Sequence, residues 1–517
     1  MEAKDQEKHK GKAITPEAEE EGQQEEEQQL QFTPVSSIPD VVKSLRKAFA
    51  SGKTKSADWR RENLKGVKHM LEENEEVFLA ALNKDLGRCK TESILSEILL
   101  TKREAEHAIA NLKNWMHPTK VSTPLAQVKL LSSSAIQTQP LGVVLIIAPW
   151  NYPLNLVLAP LIGAIAAGNA VLVKPSEVAS HTAQAITTLL PKYLDEEAIK
   201  VINGAVPETK ALLQEKFDHI FFTGSTQVGK IVMRAAAEHL TPVTLELGGK
   251  SPCIVDEEID LDATCRRIVW GKFWNAGQTC IAPDYLLVHK KVEEKFMQKL
   301  LATVQDFFGD NPKESPDFGR IINTNHVQRL QSYLQELSLT KESEDGGSSS
   351  EKQKDDEEAA QPKLLCGGEI IEEERYISPT IVKDPPMQSK LMQEEIFGPI
   401  LPVITVKDVD EAIEIINSKP KPLSLYLFTR NPKSTEQVLE NTSSGGALIN
   451  DTLMHFTTSS LPFGGVGDSG MGAYHGKASF DAFSHHRSVL DKTTHLDFAM
   501  RYPPYSDKKL NQLTMLL

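Results

Sequence analysis

Cys280 stands in the stretch Phe273-Trp274-Asn275-Ala276-Gly277-Gln278-Thr279-Cys280-Ile281-Ala282-Pro283-Asp284, between small, turn-prone residues and a Pro-Asp pair. A cysteine so placed is either a buried core thiol, since free cysteine behaves as a small hydrophobe, or a nucleophile. On the nucleophilic reading, Ala276 and Gly277 would let a bound molecule approach the backbone closely and leave room beside the thiol. Glu246, in LELGGKSP, is flanked by Leu245 and Leu247 on a predicted strand. A carboxylate in an apolar strand is costly unless paired or functional. Desolvation raises its pKa, which suits a general base near neutral pH, while a structural carboxylate bonded to nearby backbone is the alternative. Asn151, in PWNYPLN, follows a predicted strand end. Its amide could donate to a developing oxyanion, or it could cap the next helix.

FFTGSTQVGKI runs from a strand through a glycine-rich turn into a helix, the arrangement that aims backbone N–H groups and a helix dipole at phosphate. Gly224, Gly229 and Lys230 satisfy part of a Walker loop, but Ile231 stands where a magnesium-binding hydroxyl is needed. The dinucleotide fingerprint fits at Gly224 and Gly229, with Ser225 between and Thr226 in place of the middle glycine, so a pyrophosphate would lie less closely on the backbone. A plain strand-to-helix turn is the alternative. VLVKPSE puts Lys174 and Glu177 at the end of another strand, where they could hold ribose hydroxyls or form a solvated loop. Glu395 and Phe397, in EEIFGP, mark a helix-to-strand connection.

The elements that must position these residues alternate. LGVVLIIAP, AVLVKPSE, IKVINGA and DHIFFTGS read as strands, separated by helices of ten to fifteen residues. That pattern predicts βαβ units and a doubly wound sheet with ligands at the carboxyl ends of its strands. Before it, apolar residues at three- and four-residue spacing from Ile38 to Met116 predict amphipathic surface helices. Val121–Gln139 alternates and predicts an exposed pair of strands or an arm. A second α/β region follows Pro242 and carries the Cys280 stretch. Two tracts, EAEEEGQQEEEQQ near the N-terminus and KESEDGGSSSEKQKDDEEAAQ from Lys341, have nothing to bury and predict disorder.

The chain has 517 residues with a formal net charge of −14, and 40% of them are hydrophobic. This composition is that of a soluble globular protein with two or three domains, and it argues against a nucleic-acid binder. The five cysteines are scattered without a CxxC pair or a Cys/His cluster, so neither a disulfide framework nor a metal site is expected, and reduced thiols fit a cytoplasmic protein. No apolar run is long enough for an integral membrane anchor.

Taken together and in order, these motifs resemble the aldehyde dehydrogenase superfamily. PWNYPLN, FFTGSTQVGK, NAGQTCIAPDY, PFGGVGDSGMGAYHGKASFDAFSH and RYPPYSDKKL make the resemblance that of the class 3 branch, which includes fatty-aldehyde and aryl-aldehyde enzymes. The resemblance implies an α/β aldehyde dehydrogenase-like fold: a Rossmann-type cofactor domain, an α/β catalytic domain and a small β oligomerisation arm. The expected division is a disordered acidic tail over 1–33, a cofactor domain over 34–246 interrupted by the arm at 121–141, a catalytic domain over 247–446 with an insertion at 341–362, and an oligomerisation segment over 447–517. It also implies roles. Cys280 would be the nucleophile and Glu246 the base that activates water. Asn151, with the Cys280 N–H, would form the oxyanion hole. Lys174 and Glu177 would touch the adenosine ribose, and Gly224, Ser225, Thr226 and Gly229 would lie under the pyrophosphate. Glu395 would hold the nicotinamide ribose, with Phe397 and Trp150 beside the cofactor. The coenzyme implied is NAD with some use of NADP, and the assembly a homodimer. Asp468 departs from the pattern, standing where relatives more often carry Asn. A thiol hydrolase would use the same nucleophile but needs a paired histidine and no dinucleotide fold.

Overall fold

The computed structural model describes residues 30–123, 132–338, 362–495 and 497–516. Most of the acidic tail, all of the 341–362 insertion except residue 362, and residues 124–131 of the arm lie outside the described residues. The last residues assigned to the tail are held by the fold: the Thr33 N–H donates to the Asn203 carbonyl at 2.8 Å.

Helices Ile38–Ala50, Ala57–Glu73, Glu75–Leu86 and Leu100–Met116 come first. The three- and four-residue spacing does its expected work. Ile38–Ala50 buries Ile38, Val42, Leu45 and Ala48 along one stripe. Strands β1 (Thr119–Val121) and β2 (Ser132–Pro140) then pair antiparallel.

The first core sheet takes β3 (Val143–Ile147), β4 (Ala170–Lys174), β5 (Ile199–Val201), β6 (His219–Thr223) and β7 (Val243–Glu246), all parallel. Their spatial order is β7-β6-β3-β4-β5. The chain therefore winds outward from β3 to β5 and returns on the other side at β6, which opens a crevice between the carboxyl ends of β3 and β6. Side chains alternate across the sheet. Val143, Leu145 and Ile147 enter one core with the first helix, while Val144 and Ile146 enter the other with helix Asn155–Ala167. That helix is buried at every position, which explains its unbroken apolar character.

The second sheet is built from β8 (Pro252–Val255), β9 (Tyr285–His289) and β10 (Lys363–Cys366), then β13 (Thr380–Lys383), β14 (Ile400–Val406), β15 (Ser424–Phe428) and β16 (Gly446–Ile449). β11 (Ile370–Ile371) and β12 (Tyr376–Ile377) form a separate ribbon. The boundary expected between 446 and 447 falls inside β16. The glycine before it serves close packing: a Cβ on Gly445 would lie 2.3 Å from the Gly464 carbonyl oxygen. The C-terminal segment likewise returns to the core. β17 (Gly470–Met471) adds to the first sheet, antiparallel to β7, with Gly470 opposite Glu246. β18 (Ser484–Lys492) pairs with β2 along its whole length, completing the arm.

Candidate active site

Helix Leu261–Phe273 ends just before the Cys280 turn. The next residues are left-handed: Asn275 at φ 54, Ala276 at φ 50 and Gly277 at φ 75. Asparagine and glycine tolerate this conformation, whereas alanine adopts it only when its surroundings impose it. The imposition is visible. The Asn275 amide donates to the Asn151 carbonyl at 2.9 Å and the Gln278 carbonyl at 3.1 Å. Gln278 in turn donates to the Asn275 and Arg320 carbonyls at 3.0 and 2.9 Å and accepts from the Ile322 N–H at 3.0 Å. The sequence predicts that these small residues make room for a ligand, and the structure fills that room with the protein itself. Ala276 is 1% exposed within the second core, and a Cβ on Gly277 would meet the Gly398 carbonyl oxygen at 2.3 Å. What they admit is the chain's own backbone.

Asn151 lies beyond the end of β3 and does not cap the following helix, whose N-cap is Leu154. It crosses instead to the Cys280 turn, where Nδ2 donates to the Gln278 carbonyl at 3.1 Å. Cys280 and Glu246 both face one cavity of about 240 Å³, together with Thr223 and Thr279. Its walls are apolar, with Leu99, Leu156, Trp270, Trp274, Phe456 and Phe463 among them. Leu95, Arg103, Met454 and Thr457 line it and are exposed, so the cavity meets solvent there. Glu246 closes β7, is 2% exposed, and neither carboxylate oxygen has a hydrogen-bond partner. Burial pushes its pKa far above the carboxylate range. Burial also raises the Cys280 thiol, helped by the charges of Glu395 and Glu246.

The carboxyl ends of the neighbouring strands carry the remaining expected residues. Lys174 Nζ donates to Glu177 Oε2 at 2.9 Å and to the Pro175 carbonyl at 3.1 Å. Gly224 follows β6 against the Phe222 ring, and Ser225 caps helix Thr226–Ala237 by accepting from the Val228 N–H. Gly229 lets that helix approach the end of β7, since a Cβ would meet Leu247 at 2.7 Å. Thr226 Oγ1 donates to the Asp468 carbonyl at 3.2 Å, and both residues line a cleft with Gly248 and Glu395. Burial raises the Glu395 carboxyl to about 8, and its Oε1 has no partner. Phe397 sits at φ 48 with its ring edge-on to Trp150 at 5.3 Å, and Trp150 also meets His326 at 4.9 Å. Among the described residues no His/Cys/Asp/Glu cluster could hold a metal ion.

The family model described as "Aldehyde dehydrogenase family" matches residues 18–489. The chain belongs to the aldehyde dehydrogenase family. It is an oxidoreductase acting on the aldehyde group. Aldehyde dehydrogenase family 3 member A2 of Mus musculus is 49% identical over 475 residues, covering 91% of this chain and 92% of that protein. "Aldehyde dehydrogenase, dimeric NADP-preferring" of Rattus norvegicus is 47% identical over 474 residues, covering 91% and 98%. Among solved structures, the substrate-bound state of Staphylococcus aureus AldH superposes with a TM-score of 0.86 at 44% identity, covering 93% of this chain and 99% of that one.

This aldehyde dehydrogenase also contains a buried network at the site that its motifs do not announce. Arg88 donates to Glu97 Oε1 at 2.7 Å, to the Asn151 carbonyl at 2.5 Å and to Asn275 Oδ1 at 3.1 Å. Glu97 Oε2 accepts the Leu154 and Asn155 N–H groups at 3.1 and 2.7 Å, capping the buried helix from a distance. Glu92 accepts from the Asn275 N–H. Residues 88–100 are therefore not the plain surface helix that their spacing predicts. Charged residues at helical spacing look solvated, and only the Gly87 break before Arg88 sets them apart.

Proposed function

We propose that this enzyme oxidises medium- or long-chain aliphatic or aromatic aldehydes to carboxylic acids, with Cys280 as nucleophile and Glu246 as base. The observation that supports this best is the shared cavity: a thiol and an unpartnered buried carboxyl open on the same apolar chamber. A Cys280 thiolate attacks the aldehyde carbon and forms a thiohemiacetal oxyanion. Asn151 and the Cys280 N–H hold that oxygen. The Asn151 amide has two N–H donors and gives one to the Gln278 carbonyl, which leaves the other for this task. Collapse of the oxyanion expels hydride, which the dinucleotide would accept when bound, and leaves a thioester on Cys280. Glu246 then takes a proton from water, and the hydroxide releases the acid.

The residues at the strand ends fit a dinucleotide. Gly224, Ser225, Thr226 and Gly229 surround a helix N-terminus, the natural seat of a pyrophosphate. Lys174 and Glu177 suit the adenosine ribose. Glu395 offers an acceptor oxygen without a partner to the nicotinamide ribose, with Phe397 and Trp150 alongside. When bound, the dinucleotide supplies the hydride acceptor. NAD is the expected coenzyme with NADP as a lesser one, and the NADP preference in the rat relative's name supports NADP use.

A cofactor domain over 34–246, a catalytic domain from 247 and a homodimer joined through the arm follow from the same reading. That rat relative is named dimeric, and β18 is exposed over most of its length. Among the described residues no helix is long and apolar enough to cross a membrane. The test is NADH absorbance with a medium-chain aldehyde. Turnover that persists in Cys280→Ser would overturn the proposal.

A further inference from the structure

Glu246 and Arg103 are the charged residues that line the active-site cavity. Glu246 shares its inner part with Cys280, whereas Arg103 is exposed, at the edge where the cavity meets solvent. The wall that carries Arg103 is helical. Leu95, Leu99 and Arg103 line the cavity at four-residue spacing, so they share one face across the π-helix Ile94–Leu99 and the start of helix Leu100–Met116. The other exposed residues of that edge bring no charge: they are Leu95, Met454 and Thr457, and the Thr457 hydroxyl donates to the Met454 carbonyl at 2.8 Å.

Among the described residues the Arg103 side chain has no hydrogen-bond or ion-pair partner. The charges beside it on the helix are spent elsewhere. Lys102 pairs with Glu72 at 3.0 Å, Glu106 with Lys68 at 2.8 Å, and Glu104 accepts the Gly476 N–H at 2.6 Å. One turn further on, the His107 ring packs against Trp115 at 5.6 Å. An arginine can lay its aliphatic stem along an apolar wall and keep its guanidinium in water, which explains why the fold tolerates Arg103 there. It also leaves a fork of N–H donors, free of any protein acceptor, at the entrance to a largely apolar chamber.

We propose that Arg103 recognises a carboxylate at the far end of the substrate, so that the enzyme takes ω-oxo acids, aldehydes with a carboxylate at the other end of a methylene chain. This rests on the aldehyde oxidation proposed for Cys280. The two ends of such a molecule need different surroundings. A carboxylate pushed in beside Glu246 would be buried without a counter-charge, which is costly. At the edge, the guanidinium offers it a two-pronged, charge-assisted contact. The charges of the cavity thus orient the chain aldehyde first, with its methylenes along the face of Leu95 and Leu99. The bonds made and broken at Cys280 are those of the proposed oxidation, and the product is a dicarboxylate. A plain fatty aldehyde uses the same walls and leaves Arg103 to water.

The experiment follows NADH formation by the full-length enzyme with adipic, suberic and azelaic semialdehydes, each against its methyl ester, which keeps the chain and removes the charge. Melting curves check the fold of each variant. For the chain length that spans the cavity, Arg103→Gln should lower the acid-to-ester ratio of kcat/KM about fivefold, the scale of an exposed charged contact. The loss should fall on KM rather than kcat, because the contact is made equally before and during the chemistry. Arg103→Lys should keep part of the ratio, since it keeps the charge but not the fork. Raising salt from about 0.05 to about 0.5 M should erode the ratio in the wild type and leave it flat in Arg103→Gln. A ratio that Arg103→Gln does not move at any chain length, or equal losses for acid and ester, overturns the proposal. If the esters are oxidised and the ratio ignores Arg103, only the role of Arg103 falls. If neither acids nor esters are oxidised, the aldehyde-oxidation reading itself fails.

Discussion

Arg88 and Glu97 form an ion pair at 2.7 Å with both side chains at 0% exposure. The pair joins Asn151, the turn before Cys280 and the N-terminus of the buried helix. Arg88→Met would leave the Glu97 carboxylate buried without its cation, at a cost of about 3–5 kcal/mol. Melting scans should show a large loss. Arg88→Met combined with Glu97→Gln should recover most of the stability but not the activity, because Asn151 and Asn275 have lost their anchor. A single variant that melts like the wild type would refute this.

In the proposed mechanism Glu246 takes its proton late in the cycle. Glu246→Gln should release a rapid burst of NADH and then turn over at least about a hundredfold more slowly, the lower range for losing a general base. Rapid-quench analysis should find acyl-enzyme on Cys280. Without accumulation, water is activated elsewhere.

The same residue makes a prediction about stability. Its folded pKa lies far above that of the unfolded chain because burial disfavours the charge. As pH rises through the ordinary carboxylate range, the unfolded state loses its proton first, so the folded state loses stability with rising pH. Glu246→Gln removes that loss. It should melt higher than the wild type at about pH 8, by roughly 1 °C for each kcal/mol regained in a chain of this length, and the gap should close near pH 5. A constant gap across that range would show that Glu246 is ionised in the fold.

Glu177, paired with Lys174, bears on coenzyme choice. A carboxylate at the adenosine ribose accepts hydroxyls and repels a 2′-phosphate. Glu177→Gln should raise the NADP-to-NAD ratio of kcat/KM by about tenfold, the scale of a typical charged contact. An unchanged ratio would place the discrimination elsewhere.

The winding of the first sheet was legible in the sequence because its strands alternate with well-spaced helices. Their carboxyl ends bring Asn151, Lys174, Gly224 and Glu246 to one side, as a doubly wound sheet requires. The environment of Cys280 was less legible. Ala276 and Gly277 announce a close approach, but composition does not say what approaches, and Gly398 answers it. Arg88, Glu92 and Glu97 were hidden for a different reason. Their burial is decided by contacts with residues more than fifty positions away, and local spacing carries no trace of those.

Glu246 sits on a strand whose outer edge is covered by Gly470 and Met471. The base and the thiol are thus translated long before the segment that walls them in, which also contributes Tyr474 to the cavity. A nascent chain that has delivered Cys280 still lacks the segment that encloses it. The cavity is complete only once residues through Tyr474 have been made, so the C-terminal segment is part of the active site rather than an appendage to it.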